Sequence, residues 1–301
     1  MANVTLNTTG TDKTETTYLG LYWSLLAIYV AVSIPLFLMV PNKQIIALMV
    51  TALIIAFAHG SQRYGLKSMI VFFLMVNVVG FFFENLSVST GFPFGNYHYT
   101  NALNMPMIWQ VPLDVALLYF AMGYISWTIA NTLLDKADER LGIRFNLFAL
   151  PVVSAFLMTS WDVVFDPTWS THFQTWIWED GGGFFGVPLS NYLGWYFVTW
   201  IFFQGFALYL SKNQGAVRPT GLPETSGYWM VTIVLYLLVA GGYAMNYFVL
   251  PDEQISDATG NVWRSKDIDE SAVIVAIYTM GFGAVLAVLR LMQPRVASQD
   301  A

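Results

Sequence analysis

Lys67-Ser68-Met69-Ile70-Val71-Phe72-Phe73-Leu74-Met75-Val76-Asn77-Val78-Val79-Gly80-Phe81-Phe82-Phe83-Glu84 decides the fold. No side chain between Lys67 and Glu84 carries a charge. At ~1.5 Å per helical residue the run covers most of a hydrocarbon layer ~30 Å thick. It is apolar all round, which suits a helix in lipid rather than one lying on water. It also ends on a carboxyl, so the same stretch that points to a membrane raises the question of what an acid does there.

The rest of the chain has the same character. Of its 301 residues 56% are hydrophobic, 17% aromatic and only 11% charged, against roughly 25% charged in soluble domains. Apolar runs occur at about 18–40, 44–59, 66–85, 109–134, 145–165, 190–211, 227–250 and 271–292. The expected fold is therefore an all-α, polytopic membrane helical bundle of about eight transmembrane helices. Residues 1–17 read as a polar tail, 18–293 as a single transmembrane domain and 294–301 as a second tail. No basic n-region precedes the first run, which reads as a retained helix rather than a signal peptide.

If the runs alternate across the membrane, Lys13, Arg63, Lys67, Lys136, Arg140, Arg144, Lys212, Arg218, Arg290 and Arg295 share the side of the N-terminus. Only Lys43, Arg264 and Lys266 fall opposite. That bias predicts cytoplasmic N- and C-termini in a multi-pass protein of the cell membrane. The basic residues form no block suited to nucleic acid. Cysteine is absent, and the histidines are His59, His98 and His172 alone. Thiolate chemistry is excluded and no metal site is expected. No lysine lies mid-span, which excludes a retinal Schiff base.

The connections 86–108 and 166–189 contain no Lys or Arg and are dense in Gly, Pro and aromatic residues. They are expected to fold back on the helix ends and line an apolar, partly sealed cavity. Three clusters fall at that end, which the charge bias makes extracytoplasmic. The first is Thr90-Gly91-Phe92-Pro93-Phe94-Gly95-Asn96-Tyr97-His98-Tyr99. The second is Trp161-Asp162-Val163-Val164-Phe165-Asp166-Pro167, in which the two acids, four residues apart, share a helix face. Pro167 is expected to end that helix. The third is Trp176-Ile177-Trp178-Glu179-Asp180-Gly181-Gly182-Gly183-Phe184-Phe185-Gly186-Val187-Pro188-Leu189-Ser190-Asn191-Tyr192-Leu193-Gly194-Trp195. No Lys-Ser/Thr follows its glycines and no strand is expected before them, so a phosphate loop is excluded. Glu84 closes the third run and Asp114 opens the fourth. Together these residues gather carboxyls, an amide, an imidazole and phenols among aromatic rings.

In these three stretches, the third from Gly183 onward, the chain resembles the membrane carotenoid hydratases, over about residues 80–200. The resemblance implies addition of water to a terminal carbon–carbon double bond of an acyclic carotenoid, giving a tertiary alcohol. It implies a hydro-lyase that needs no cofactor and takes its substrate from the bilayer, with membrane lipids as its other partner. Bisanhydrobacterioruberin is the favoured substrate, with lycopene or γ-carotene as others. The chemistry of the residues fits that implication. Asp162, Asp166 and Glu84 are the candidate catalytic groups. Tyr97, His98, Tyr99, Trp161, Asn191 and Trp195 are candidates for binding substrate and water, and Asp114 is a possible addition. Asp162, one turn deeper than Asp166, is the favoured proton donor. The residues alone also admit a proton-coupled transporter or a carotenoid-binding protein without chemistry.

Overall fold

The computed structural model describes residues 9–39, 44–102, 104–217 and 221–293. The expected tail 294–301, residues 1–8, and Lys43, Arg218 and Arg295 of the charge count lie outside them. Among the described residues the helices are α1 (Thr9–Met39), α2 (Gln44–Thr90), α3 (Leu113–Leu133), α4 (Arg144–Asp166), α5 (Leu189–Lys212), α6 (Ser226–Val249), α7 (Ser265–Ala276) and α8 (Phe282–Met292). The architecture is the expected all-α bundle, and α1 already begins at Thr9, inside the stretch read as a polar tail.

Seven helices are long and apolar enough to cross a membrane: Glu15–Met39, Ile45–Thr90, Leu113–Leu133, Arg144–His172, Leu189–Lys212, Ser226–Val249 and Ser265–Met292. The second absorbs two of the expected runs. It is broken at Gly65, whose φ of 72° and ψ of 153° no helix contains and a side chain resists. Along one straight helix Phe57 and Phe73 would lie about 24 Å apart, yet their ring centroids are 5.6 Å apart. The helix therefore doubles back as a hairpin, and each limb, at roughly 20–25 residues, is long enough to cross by itself.

At the centre stands α3. Every residue from Leu118 to Thr132 is buried, as expected of a helix apolar on all faces, and it packs against α2, α4, α6 and α8. The outer surfaces carry large exposed apolar side chains, such as Leu21 and Ile28 on α1, Val78 and Phe82 on α2, and Val285 and Leu289 on α8. In water so continuous an apolar surface would drive aggregation; here it faces lipid.

Two features differ from the expectation. The chain does not leave the helix at Pro167 but continues to His172 as a wider π turn. Proline removes one donor and fixes φ near the helical value, and a wider turn tolerates the missing hydrogen bond. The loops also contain short strands: β1 (Tyr97–Tyr99), β2 (Met107–Ile108), β3 (Val111–Pro112), β4 (Trp176–Trp178), β5 (Gln254–Ser256) and β6 (Val262–Arg264). They pair as β1–β4, β2–β3 and β5–β6. Thus a strand does precede the glycine-rich stretch, although the missing Lys-Ser/Thr still excludes a phosphate loop.

With α2 doubled back, the three ribbons fall at one end of the bundle. The opposite end is tied by a buried network. Arg63 donates through Nε and Nη2 to the two oxygens of Asp138, at 2.6 Å each, and the Tyr64 hydroxyl donates to Asp138 Oδ2 at 2.6 Å. Trp127 Nε1 donates to the Tyr64 hydroxyl at 3.0 Å. One turn along α2, His59 bonds the Tyr124 hydroxyl through Nδ1 (2.5 Å) and the Tyr228 carbonyl through Nε2 (2.9 Å).

Candidate active site

The β1–β4 ribbon covers one end of the bundle, and its register explains the site. Tyr97 pairs with Trp178, His98 with Ile177, and Tyr99 with Trp176. Side chains alternate along a strand, so Tyr97, Tyr99, Trp176 and Trp178 share the inner face, while His98 and Ile177 lie on the other. The loop before β1 seats on α5 at Gly194, where a Cβ would lie 2.7 Å from the Phe94 ring and 2.9 Å from the Pro93 carbonyl oxygen. Only glycine allows so close an approach.

The four inner side chains serve two carboxyls. Glu84, at the outer end of α2, accepts hydrogen bonds from the hydroxyls of Tyr97, Tyr99 (2.9 Å) and Tyr119 (2.5 Å). Asp166, at the end of α4, accepts from Trp178 Nε1 (3.0 Å) and Trp176 Nε1 (3.3 Å) on Oδ1, and from Asn191 Nδ2 (2.6 Å) on Oδ2. The same amide nitrogen donates to Asp162 Oδ2 at 3.1 Å. Burial, and then the Glu84 carboxyl beside them, push the Tyr97 and Tyr99 phenols well above their usual range. Both hydroxyls therefore keep their protons and stay donors.

Glu84, Asp114, Tyr97, Tyr99, Trp161, Asp166, Asn191 and Trp195 line one cavity of about 770 Å3. Apart from Asn101 and Thr175 its remaining wall is apolar and aromatic, and it contains no Lys or Arg. Rings pack into a continuous lining: Tyr119 stacks on Trp195 at 4.6 Å between centroids, Trp195 meets Trp161 edge-on at 5.8 Å, and Phe165 stacks on Trp169 at 5.4 Å. Asp114 Oδ1 is buried with no hydrogen-bond partner.

Two expected residues lie outside the wall. The His98 side chain is 54% exposed and pairs with Glu179 on the outer face of the ribbon. Strand parity removes it from the cavity. Asp162 lies one turn below Asp166, buried and joined to it through Asn191, but it does not line the cavity, and its Oδ1 has no partner. The two outer loops do line the cavity, as expected.

Four contributors went unassigned in the sequence: Tyr119, Trp169, Trp176 and Trp178. The tryptophans of β4 carried a signal, because Trp176-Ile177-Trp178 and Tyr97-His98-Tyr99 have the same aromatic-x-aromatic period. Among the described residues no group of three or more His, Asp or Glu side chains could hold a metal ion.

The family model described as carotenoid biosynthesis protein matches residues 42–251, well over half of the chain. The chain belongs to the carotenoid biosynthesis protein family. No curated protein and no solved structure matches it. The matched range covers every carboxyl and aromatic group of the cavity, so the site lies within the part that carries the family likeness. It is a membrane protein of carotenoid biosynthesis, with an aromatic cavity at one end of its bundle.

Proposed function

We propose that the protein is a carotenoid hydratase that adds water across the terminal double bond of an acyclic carotenoid end. One observation carries the reading: in a member of a carotenoid biosynthesis family, two carboxyls held by fixed donors open into a single aromatic cavity. Hydration of a trisubstituted alkene needs a proton donor, a shelter for a tertiary cation, and a water with a proton acceptor. The cavity wall contains groups for all three.

Asp166, in its acid form, gives its proton to the less substituted carbon, and the π electron pair becomes the new C–H bond. The faces of Trp161, Trp169 and Trp195 stabilise the tertiary cation by about 1–2 kcal/mol each when desolvated. A water oxygen then forms the C–O bond, and its proton passes to Glu84. Exchange with solvent returns Glu84 and Asp166 to their starting forms. Tyr97, Tyr99 and Tyr119 fix the direction in which Glu84 accepts. Asp166 takes the donor role in place of Asp162 because an acid must reach the atom it protonates before its acidity matters. Asp162 then acts as a positioning residue that holds Asn191 against Asp166. Asp114 also lines the cavity, but no donor aims its free oxygen. The basic residues gathered at the opposite end make the cavity end extracytoplasmic.

The test is product analysis from membranes containing the protein and either lycopene or bisanhydrobacterioruberin. The expected product is heavier by one water, about 18 Da, and is lost in the Asp166→Asn variant. Carotenoid retained without any mass change would make the protein a binding protein instead.

A further inference from the structure

We infer that a side pocket between α1, the first limb of α2, and α6 holds the polyene shaft of the substrate while its end group occupies the cavity. The inference rests on the proposed carotenoid substrate and adds where the remainder of that molecule lies. This pocket has a volume of about 370 Å3 and is lined by Tyr29, Leu48, Val239, Gly242, Tyr243 and Asn246, together with Ile45 and Trp169. Ile45 and Trp169 also line the active cavity, so the two spaces share a wall of two side chains. A conjugated polyene is a stiff, extended rod that cannot fold up beside its own end group, so its shaft must leave the cavity through some gap.

Two other spaces also touch the cavity. One, of about 160 Å3, shares Val115 and Tyr119 with it, and is less than half the size of the side pocket. The other, of about 260 Å3, shares Trp178 with it and lies beneath the loops rather than between helices, with Ser170, Thr171, Gln174, Ser256 and Asp257 in its wall. The side pocket is the largest of the three, and it lies between helices whose outer faces meet lipid. Ile45 and Trp169 become the residues between which the chain bends from the bilayer into the cavity. Asn246 adds one feature to this wall, a buried Oδ1 without a hydrogen-bond partner.

Gly242 gives a clean test. A Cβ built on it meets nothing within 4 Å, so the side chain of Gly242→Leu starts in open space and takes up room in the pocket. Gly241 is equally free of contacts but lies outside the pocket wall, and Gly241→Leu is the control. Purified protein is loaded with lycopene, and bound polyene per protein is read by absorbance, with thermal unfolding recorded for all variants. Gly242→Leu should lose roughly tenfold or more in bound lycopene at unchanged unfolding temperature, while Gly241→Leu should match the unsubstituted protein. Unchanged binding in a folded Gly242→Leu variant would overturn the inference and leave the hydratase reading intact. Lycopene bound but never hydrated would overturn the hydratase chemistry and leave the shaft site standing. Failure of the unsubstituted protein to bind any lycopene would overturn the shaft site.

Discussion

Tyr97 and His98 are neighbours in the chain, yet one holds Glu84 and the other pairs with Glu179 outside the cavity. That parity separates two substitutions that look equally severe on paper. His98→Ala changes an exposed group, and its effect on product yield should stay within about twofold, the usual range for surface changes. Tyr119→Phe removes one of three donors to Glu84. A hydrogen bond to a charged group is worth about 1.5–3 kcal/mol, so hydration should fall at least about tenfold. Initial rates on membranes normalised for protein content check both; a large loss in His98→Ala would mean that the other face of the ribbon lines the cavity. Sequence reading reached Tyr97 and Tyr99 through their motif and also admitted His98, because polarity alone does not tell which face of a three-residue strand a side chain takes. Strand pairing with Trp176–Trp178, distant in sequence, supplies that information.

Among the elements, the doubled α2 and the segment between α3 and α4 are joined by Arg63 and Asp138, both essentially fully buried. Removing one partner of such a buried pair costs about 3–5 kcal/mol, and without Asp138 the Arg63 guanidinium keeps only the partly exposed Glu139, 2.9 Å away. Asp138→Ala should therefore lower the unfolding temperature in detergent markedly, whereas a combined Arg63→Met and Asp138→Leu change should recover most of the loss. Unfolding curves of the three proteins decide the matter, and an unperturbed Asp138→Ala would mean that the network does not hold the hairpin. The helices themselves were legible, because long apolar runs have few other solutions in lipid. Their ends were less so. The turn at Gly65 falls in the gap between the apolar runs 44–59 and 66–85 and so was legible, whereas Pro167 reads as a stop although the helix widens around it. There tertiary packing overrides a local preference.

For the whole molecule, the basic residues within the described chain divide by end. Arg63, Lys136, Arg140, Arg144 and Arg290 lie away from the ribbons, while Arg264 and Lys266 follow the β5–β6 turn. In this cysteine-free chain, Arg140→Cys should react only with reagents inside the cell, and Asn104→Cys with reagents outside; the reverse pattern would turn the cavity toward the cytoplasm. The one-ended gathering of carboxyls was visible from the apolar runs and their termini, but the cavity was not. Its shape depends on how two loops some 80 residues apart cover the ends of α2, α3, α4 and α5. The central claim is that this cavity adds water to a carotenoid end. Its most direct test is mass analysis of the carotenoid product formed in water enriched in oxygen-18, by the unsubstituted protein and by Asp166→Asn. The account predicts one heavy oxygen per hydrated end from the unsubstituted protein, and product reduced by about 10²–10⁴-fold in the variant, the usual contribution of a general acid. A carotenoid recovered without heavy oxygen, or full labelling by Asp166→Asn, would contradict it.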